Sequence, residues 1–365
     1  MSNSILYLGH TYGTSRHRAD ALARLGNTVE IFDPLNFFPN NKLLQKVIEK
    51  LVIEVGAAWF EPYIRQRLAV RLRGCHFSVV WSDQCLMVGL TTATVLRCHA
   101  DHMVTYAIDD PFGTTDGHRF KLYLKALGVY DLVVVVRESN ITEAYTHGAR
   151  NVLRVLRSAD EVAHHPLVLP PEKEKRWSSD VLFIGTWMPE RGPFIRRLVE
   201  LKIPLTLFGD RWQKAPEWPV IKRVWHGPGL LGDAYVKAIQ KAKVCLGMLS
   251  KGNRDFHTSR SSEIPYIGSL LCAERTVEHM AMYCEDEEAV FWSTPDECAD
   301  KCFALLSQES KRQAIAQSGH NRCIQSGYLN QPIMESILNT LLNQGLKAIR
   351  SESQLRKQQP GDAFC

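Results

Sequence analysis

The sequence has no apolar run long enough to cross a bilayer. Its longest charge-free apolar stretch, Gln84 to Leu96, is thirteen residues and includes three threonines. A membrane helix needs about twenty. The opening MSNSILYLGHTYG lacks the basic leader and extended apolar core of a secretion signal. A charge of one sign is missing too: 44 Lys and Arg stand against 39 Asp and Glu, a net +5. That surplus is too small to argue for a nucleic-acid partner, whose readers concentrate Lys and Arg on one face. The first strand-to-helix turn, Gly9-His10-Thr11-Tyr12-Gly13, is not the GxGxxG dinucleotide fingerprint. The P-loop GxxxxGK[ST], the GxSxG elbow and HExxH are all absent. A cytoplasmic protein with no nucleic-acid partner is expected.

The ten cysteines are scattered, and several sit inside apolar runs, such as Cys245 in VCLGM and Cys272 in SLLCA. They read as small buried hydrophobes in a reducing compartment rather than a disulfide framework. Cys298 and Cys302 are one helical turn apart, but no Cys or His pair at zinc-site spacing accompanies them. They are therefore expected to be structural.

What is present is an alternation of short β-rich runs and helical stretches. Strands are expected at Ser4–Gly9, Thr28–Phe32, Phe77–Trp81, Met103–Ile108, Asp131–Val136 and Val152–Val155. The valine run of the fifth suits a strand covered on both faces. SADEVAHHPLVLPPEKEKRWS (158–178), with three prolines and a charge cluster, then breaks the pattern. Strands resume at Asp180–Gly185, Pro204–Phe208, Val220–Trp225, Val244–Leu249, Ser269–Cys272 and Ala289–Trp292, with helices between and after them. The fold class is α/β, with two Rossmann-like domains. The boundaries are 1–160, a linker at 161–178, 179–330, a last helix at 331–350 and a polar tail at 351–365. Ligands of such sheets sit beyond the carboxyl ends of the strands, which points to a cleft between the domains.

The segment 41–73 is amphipathic and helical, with seven Lys and Arg against three Glu over 42–73. It reads as a helix packed on its sheet with a solvated basic face, or as an acceptor-side or membrane-surface element.

The richest chemistry lies at 249–279. Asn253, Arg254, Asp255, His257, Arg260 and Glu263 fall within eleven positions after an apolar strand. A helix running from Ser259 or Ser261 toward Tyr266 would carry Arg260 and Glu263 one turn apart near its N-terminus. A helix N-terminus with an adjacent Arg suits phosphate, and a carboxylate one turn on can accept both hydroxyls of a ribose. His257 could equally hold the loop. Asp109-Asp110, after strand four, is an imperfect DxD lookalike and reads as a catalytic or acceptor group or as a turn. His10, Tyr12 and Arg16 follow strand one and are candidates for the acceptor side, or for capping the next helix. Trp187, Trp225 and Tyr235 read as packing, and His164-His165 as linker.

Asp255 and Glu263 have the Asp/Glu-x7-Glu spacing of retaining glycosyltransferases of family 4. The string Asn253-Arg254-Asp255, His257-Thr258-Ser259-Arg260-Ser261-Ser262-Glu263-Ile264-Pro265, Gly268, Glu274-Arg275-Thr276 and Glu278-His279 resembles the CgeB-like group more closely. DVLFIGTWMPERG (180–192) resembles that domain's opening strand and loop. The resemblance implies a GT-B enzyme: an acceptor domain, a nucleotide-sugar domain, and a last helix crossing back to the first. It implies sugar transfer to an acceptor hydroxyl with retention. An epimerase, a phosphorylase or a non-catalytic sugar-nucleotide binder of the same architecture stays open. By the resemblance Glu263 binds the ribose and Asp255 faces the donor sugar. Arg191, after the Gly185 loop, and Arg260 hold the diphosphate, with Asn253 and His257 beside them. Asp110 is then the candidate catalytic group of the first domain, and His10, Arg16 and Asp109 its acceptor side. No metal or other cofactor is expected, since two guanidiniums can neutralise a leaving diphosphate.

Overall fold

A computed structural model of the chain describes residues 2–39, 41–113, 118–168, 170 and 176–357. The chain divides into two compact units, Met1–Val155 with Gln331–Cys365, and Leu156–Asn330. Each is built on a six-stranded sheet whose neighbouring strands all pair in parallel.

The first unit holds β1 (Ser4–Leu8), β2 (Thr28–Phe32), β3 (Phe77–Ser82), β4 (Ala100–Ala107), β5 (Leu132–Val135) and β6 (Val152–Arg154), in the order β2-β1-β3-β4-β5-β6. Its helices are α1 (Gly13–Arg24), α2 (Lys42–Val55), α3 (Glu61–Arg71), α4 (Leu90–Arg97), α5 (Lys121–Leu124) and α6 (Ser139–Thr146). β1 and β5 are buried along almost their whole length. One face packs Leu6, Leu8 and Val133 against Ile48, Ile64 and Leu68 of α2 and α3. The other packs Ile5, Tyr7, Val104 and Val134 against Ala19 and Leu22 of α1.

The second unit orders β12-β11-β10-β7-β8-β9, from β7 (Ser179–Ile184), β8 (Leu205–Phe208), β9 (Trp225–Gly227), β10 (Ala242–Gly247), β11 (Leu271–Glu274) and β12 (Val290–Trp292). Its helices are α7 (Arg191–Glu200), α8 (Trp218–Ile221), α9 (Gly232–Gln240), α10 (Arg260–Ile267), α11 (Val277–Met282), α12 (Pro295–Ser307) and α13 (Glu309–Gln325). Two clusters line its sheet, one with Phe183, Leu246 and Trp292, the other with Leu182, Cys245 and Phe291.

The final helix, α14 (Asn330–Lys357), buries Met334, Ile337, Leu338 and Leu341 among the β1, β4 and β5 side chains of the first unit. It is helical through the start of the expected tail at 351, and residues 358–365 lie outside the described residues.

Two expectations change. Val220–Trp225 is not a strand: its start closes α8, and β9 begins only at Trp225. Pro219 at the helix's opening turn suits a helix start, where its missing N–H costs nothing. The unit boundary falls at Val155/Leu156, before the expected 160. Ala159, Asp160 and His164 are buried in the second unit rather than solvated as a linker. Ala159 N–H donates to Tyr328 O at 3.1 Å, and Asn330 Nδ2 to Asp160 Oδ2 at 3.0 Å. Part of the linker, residues 169 and 171–175, lies outside the described residues.

Candidate functional site

In the second unit the strand ends β7 and β10 and the start of α10 gather the charged residues. Arg260 is the first residue of α10, and its Nε donates to Ile184 O at the end of β7 at 2.7 Å. Its two terminal nitrogens make no hydrogen bond among the described residues, so the fork presents unused donors. Glu263, one turn on, is buried and accepts from Tyr235 Oη at 2.5 Å. Its other oxygen lies 3.7 Å from His164 Nε2. His164 Nδ1 accepts from Asp160 N–H at 2.9 Å, which leaves the ring proton on Nε2, facing that oxygen. Burial and the Glu263 charge push the Tyr235 hydroxyl well above its usual range, so it stays a donor.

Gly185 sits beside this cradle. Its N–H donates to Phe208 O at 2.9 Å and its carbonyl accepts from Trp212 Nε1 at 2.8 Å. Gly209 passes so close that a Cβ there would stand 1.9 Å from Gly185 O, so only glycine fits.

Arg191 departs from its expected role. It is buried, and its guanidinium donates to Thr186 O at 2.8 Å, Leu249 O at 2.9 Å and Met248 O at 3.3 Å. It fastens the β7 and β10 loops together and does not present its fork to a ligand. Burial, then the neighbouring charge of Arg260, lowers its pKa to about 10. The carboxylates of Glu190 and Asp255 act on it in the opposite sense.

Asp255 and His257 are buried and drawn to Arg157. Arg157 Nη2 donates to Asp255 Oδ1 at 3.3 Å, and Arg157 N–H donates to His257 Nε2 at 2.9 Å. An acceptor at Nε2 places the ring proton on Nδ1, which donates to Glu278. His257 thus holds the loop, the second of its two sequence readings. Asn253 lies in the same loop, its N–H donating to Ser250 O at 3.2 Å, beside Arg254 at φ +52°.

The first unit has its own cavity, about 350 Å³, at the carboxyl ends of β1 to β4. His10, Tyr12, Asp33, Glu49, Asp83, Gln84, Asp109 and Arg119 supply its polar lining, and Leu35, Val52, Ile53, Leu86 and Met87 its apolar wall. His10 Nδ1 pairs with Asp33 Oδ2 at 2.9 Å, and Asp33 is fixed by accepting from Leu35 N–H. Asp109 pairs with Arg119 at 3.1 Å. Arg18 and Asp83 form a buried bidentate pair beneath, with contacts of 2.7 and 3.0 Å. Burial opposes the Arg18 charge, but Asp83 more than offsets it and raises its pKa.

Two expected residues do not line this cavity. Arg16 is exposed and paired with Asp20 one turn along α1. Asp110 is buried, and its Oδ1 accepts from Phe112 N–H, Gly113 N–H and Asn140 Nδ2 at 3.0–3.2 Å. These bonds to Oδ1 suit the turn reading of Asp110.

The bond with Asp33 raises the pKa of His10 above the usual 6.5, against partial burial. A raised value means that this contribution to stability is present below the usual pKa and fades as pH rises through the folded one. Asp33→Asn should return the His10 titration toward or below 6.5, read by NMR of the ring protons.

The fold is that of known glycosyltransferases at low identity. Sucrose-phosphate synthase from Thermosynechococcus elongatus matches with a TM-score of 0.64 and 12% identity, over 94% of this chain and 99% of that one. Anabaena HepE, solved with UDP-glucose, matches with a TM-score of 0.64 and 11% identity, over 93% and 100%. A glycosyltransferase from Rickettsia africae gives 0.63 and 13%, over 93% and 98%. No curated protein matches. Residues 191–339 match the family model described as glycosyl transferase-like. The fold is therefore the GT-B fold. The matched segment contains Arg191, Asp255, Arg260 and Glu263.

Sequence reasoning missed Tyr235, His164 and Arg157. The first was read as core and the second as linker, and nothing local marks the third. Each acts on a residue of the 249–279 segment from far along the chain: Tyr235 is 28 residues from Glu263, and Arg157 is 98 from Asp255.

Proposed function

We propose that this protein is a glycosyltransferase that moves a sugar from a nucleoside diphosphate sugar to an acceptor hydroxyl, with retention and without a metal ion. The pairing of Arg260 and Glu263 carries the reading: an Arg fork with unused donors and a positioned carboxylate, one turn apart at a helix N-terminus. The fork and the helix end suit the diphosphate, and the carboxylate suits the ribose. HepE, which shares the fold, was solved with UDP-glucose, which agrees with this donor class. Arg191 contributes its buried charge and a rigid loop. Asp255, held by Arg157, faces the donor sugar. The cavity with His10, Asp109 and Arg119 takes the acceptor. Stabilisation of the leaving diphosphate is electrostatic, and its departing phosphate oxygen takes the acceptor proton on the same face.

Metal independence follows from the charge available. Arg260 offers its fork and the buried Arg191 adds its charge beside it, and among the described residues His, Asp and Glu form no group of three able to hold an ion. Transfer should therefore survive EDTA, followed as nucleoside diphosphate release. Complete loss on chelation, restored by Mg²⁺, would refute this part.

A weak membrane-surface contact through 41–73 belongs to the same reading. Ile48 and Val52 of α2 point into the core, while Leu43, Val47, Leu51 and Val55, at four-residue spacing, are exposed, as is Trp59 at 87%. Lys46 and Lys50 flank that stripe. An apolar stripe with basic flanks suits an anionic bilayer surface. The protein should float with vesicles containing anionic lipid, and Val47→Glu with Leu51→Glu should abolish flotation without loss of fold. Equal flotation of both forms would exclude the contact.

A further inference from the structure

Cys272, Cys298 and Cys302, far apart or a turn apart in sequence, come together in the second unit. Cys272 lies within β11, and Cys298 and Cys302 occupy one face of α12, a turn apart. All three are fully buried, and their sulfurs lie within 4.8 Å of one another. Metal–sulfur bonds of about 2.3 Å would place three ligands of one centre roughly 4 Å apart, so the triangle fits a single atom. Val290, Trp292, Leu246 and Leu305 belong to the same core.

The surroundings select what that atom can be. The thiols act mainly on each other, and the carboxylate of Glu297 bears on Cys298. Arg275 and Lys301 nearby are paired with Glu297, at 2.9 and 3.6 Å. A zinc ion on three thiolates would leave a net negative charge in an apolar core and a fourth position unfilled, which is costly. A trivalent centre on three thiolates is neutral and complete. Soft sulfur ligands favour thiophilic elements.

We propose that Cys272, Cys298 and Cys302 form a binding site for a three-coordinate trivalent thiophile of the arsenite class. One As(OH)₃ condenses with three thiols: three As–O bonds break and three As–S bonds form. Each thiol proton leaves with a hydroxide as water, and no oxidation state changes. The product ties α12 to β11. The site is closed to solvent, so uptake proceeds through local opening of α12 and is slow.

The test uses the full folded chain, incubated under reducing conditions with arsenite, then desalted and assayed for arsenic. One arsenic per chain is expected, with a rise in melting temperature of about 5–10 °C at an arsenite concentration roughly 100-fold above Kd. Cys302→Ser, close in size, should lose at least about tenfold in retention. Cys298→Ala, smaller still, should do the same if the serine variant fails to fold. Arsenic K-edge absorption on the unaltered protein should show three sulfur neighbours and no oxygen. Unchanged retention in both variants, an arsenic shell with oxygen, or zinc retained in preference to arsenite would overturn the proposal.

Discussion

Replacing Arg260 with alanine should lower kcat/KM for the nucleotide-sugar by about 10²–10³. The fold should survive. The side chain makes a single hydrogen bond, from Nε to Ile184 O, and its terminal donors serve no neighbour among the described residues. A donor fork kept idle in the folded protein is available to a ligand, and a charge-assisted bond to phosphate is among the stronger ones. Removing it deletes stabilisation where negative charge grows on the leaving diphosphate, so turnover should suffer more than nucleotide binding. Arg260→Lys keeps the charge but not the fork and should fall between the two. The deletion also relieves Arg191 of a repulsive neighbour, so stability should change little. Steady-state kinetics with calorimetry of the free nucleotide separates the two effects. Turnover unchanged in a folded Arg260→Ala protein would remove Arg260 from the site.

The largest effect on stability should come from Arg18→Ala. Arg18 and Asp83 are 65 residues apart in sequence, and their side chains are 6% and 3% exposed. The guanidinium also lies 4.7 Å over the Tyr106 ring. Deleting one partner strands the other as an uncompensated buried charge, at a cost of about 3–5 kcal/mol. The melting temperature of the first unit should fall by roughly 10 °C. The second unit does not contain the pair, so hydrogen exchange should localise the loss to β1, β3 and α1. The double variant Arg18→Met with Asp83→Leu should recover much of the stability, because it removes the stranded charge. An Arg18→Ala protein that melts like the parent would show that the pair contributes nothing.

The local order of the fold was legible because strand burial on both faces writes itself as apolar runs. β1, β2, β5 and β7 all fall within a residue or two of their expected ends. Val220–Trp225 was not legible, because its Val-Ile and Val-Trp pairs mimic strand alternation while Pro219 starts a short helix. The linker misled for a related reason. Its prolines and charges look solvated, yet Ala159 and Asp160 are buried by Tyr328 and Asn330, some 170 residues on.

In the site, Arg260 and Glu263 were legible because both lie on one helix, where spacing alone fixes their neighbourhood. The hydrogen bonds of Arg191 and Asp110 were not legible. Their roles depend on whether backbone groups elsewhere use up their polar atoms. Of the Arg191 carbonyl partners, Thr186 is five residues away but Met248 and Leu249 are 57 and 58, and Asn140 is 30 from Asp110. The cysteine cluster was invisible for the same reason. Cys298 and Cys302 show their spacing, but Cys272 joins them only through the pairing of β11 with β12 and the return of α12.

The most direct test of the donor site is calorimetric titration of the unaltered protein, and of Glu263→Gln, with UDP-, GDP-, ADP- and dTDP-sugars. At least one donor should bind the parent at a single site without added metal. Glu263→Gln keeps the shape and a hydrogen-bond partner for Tyr235, yet it should weaken that donor by about 1.5–3 kcal/mol, because a charged acceptor for the ribose is lost. Binding of no member of the panel to a folded parent protein, or equal affinity in Glu263→Gln, would contradict the account.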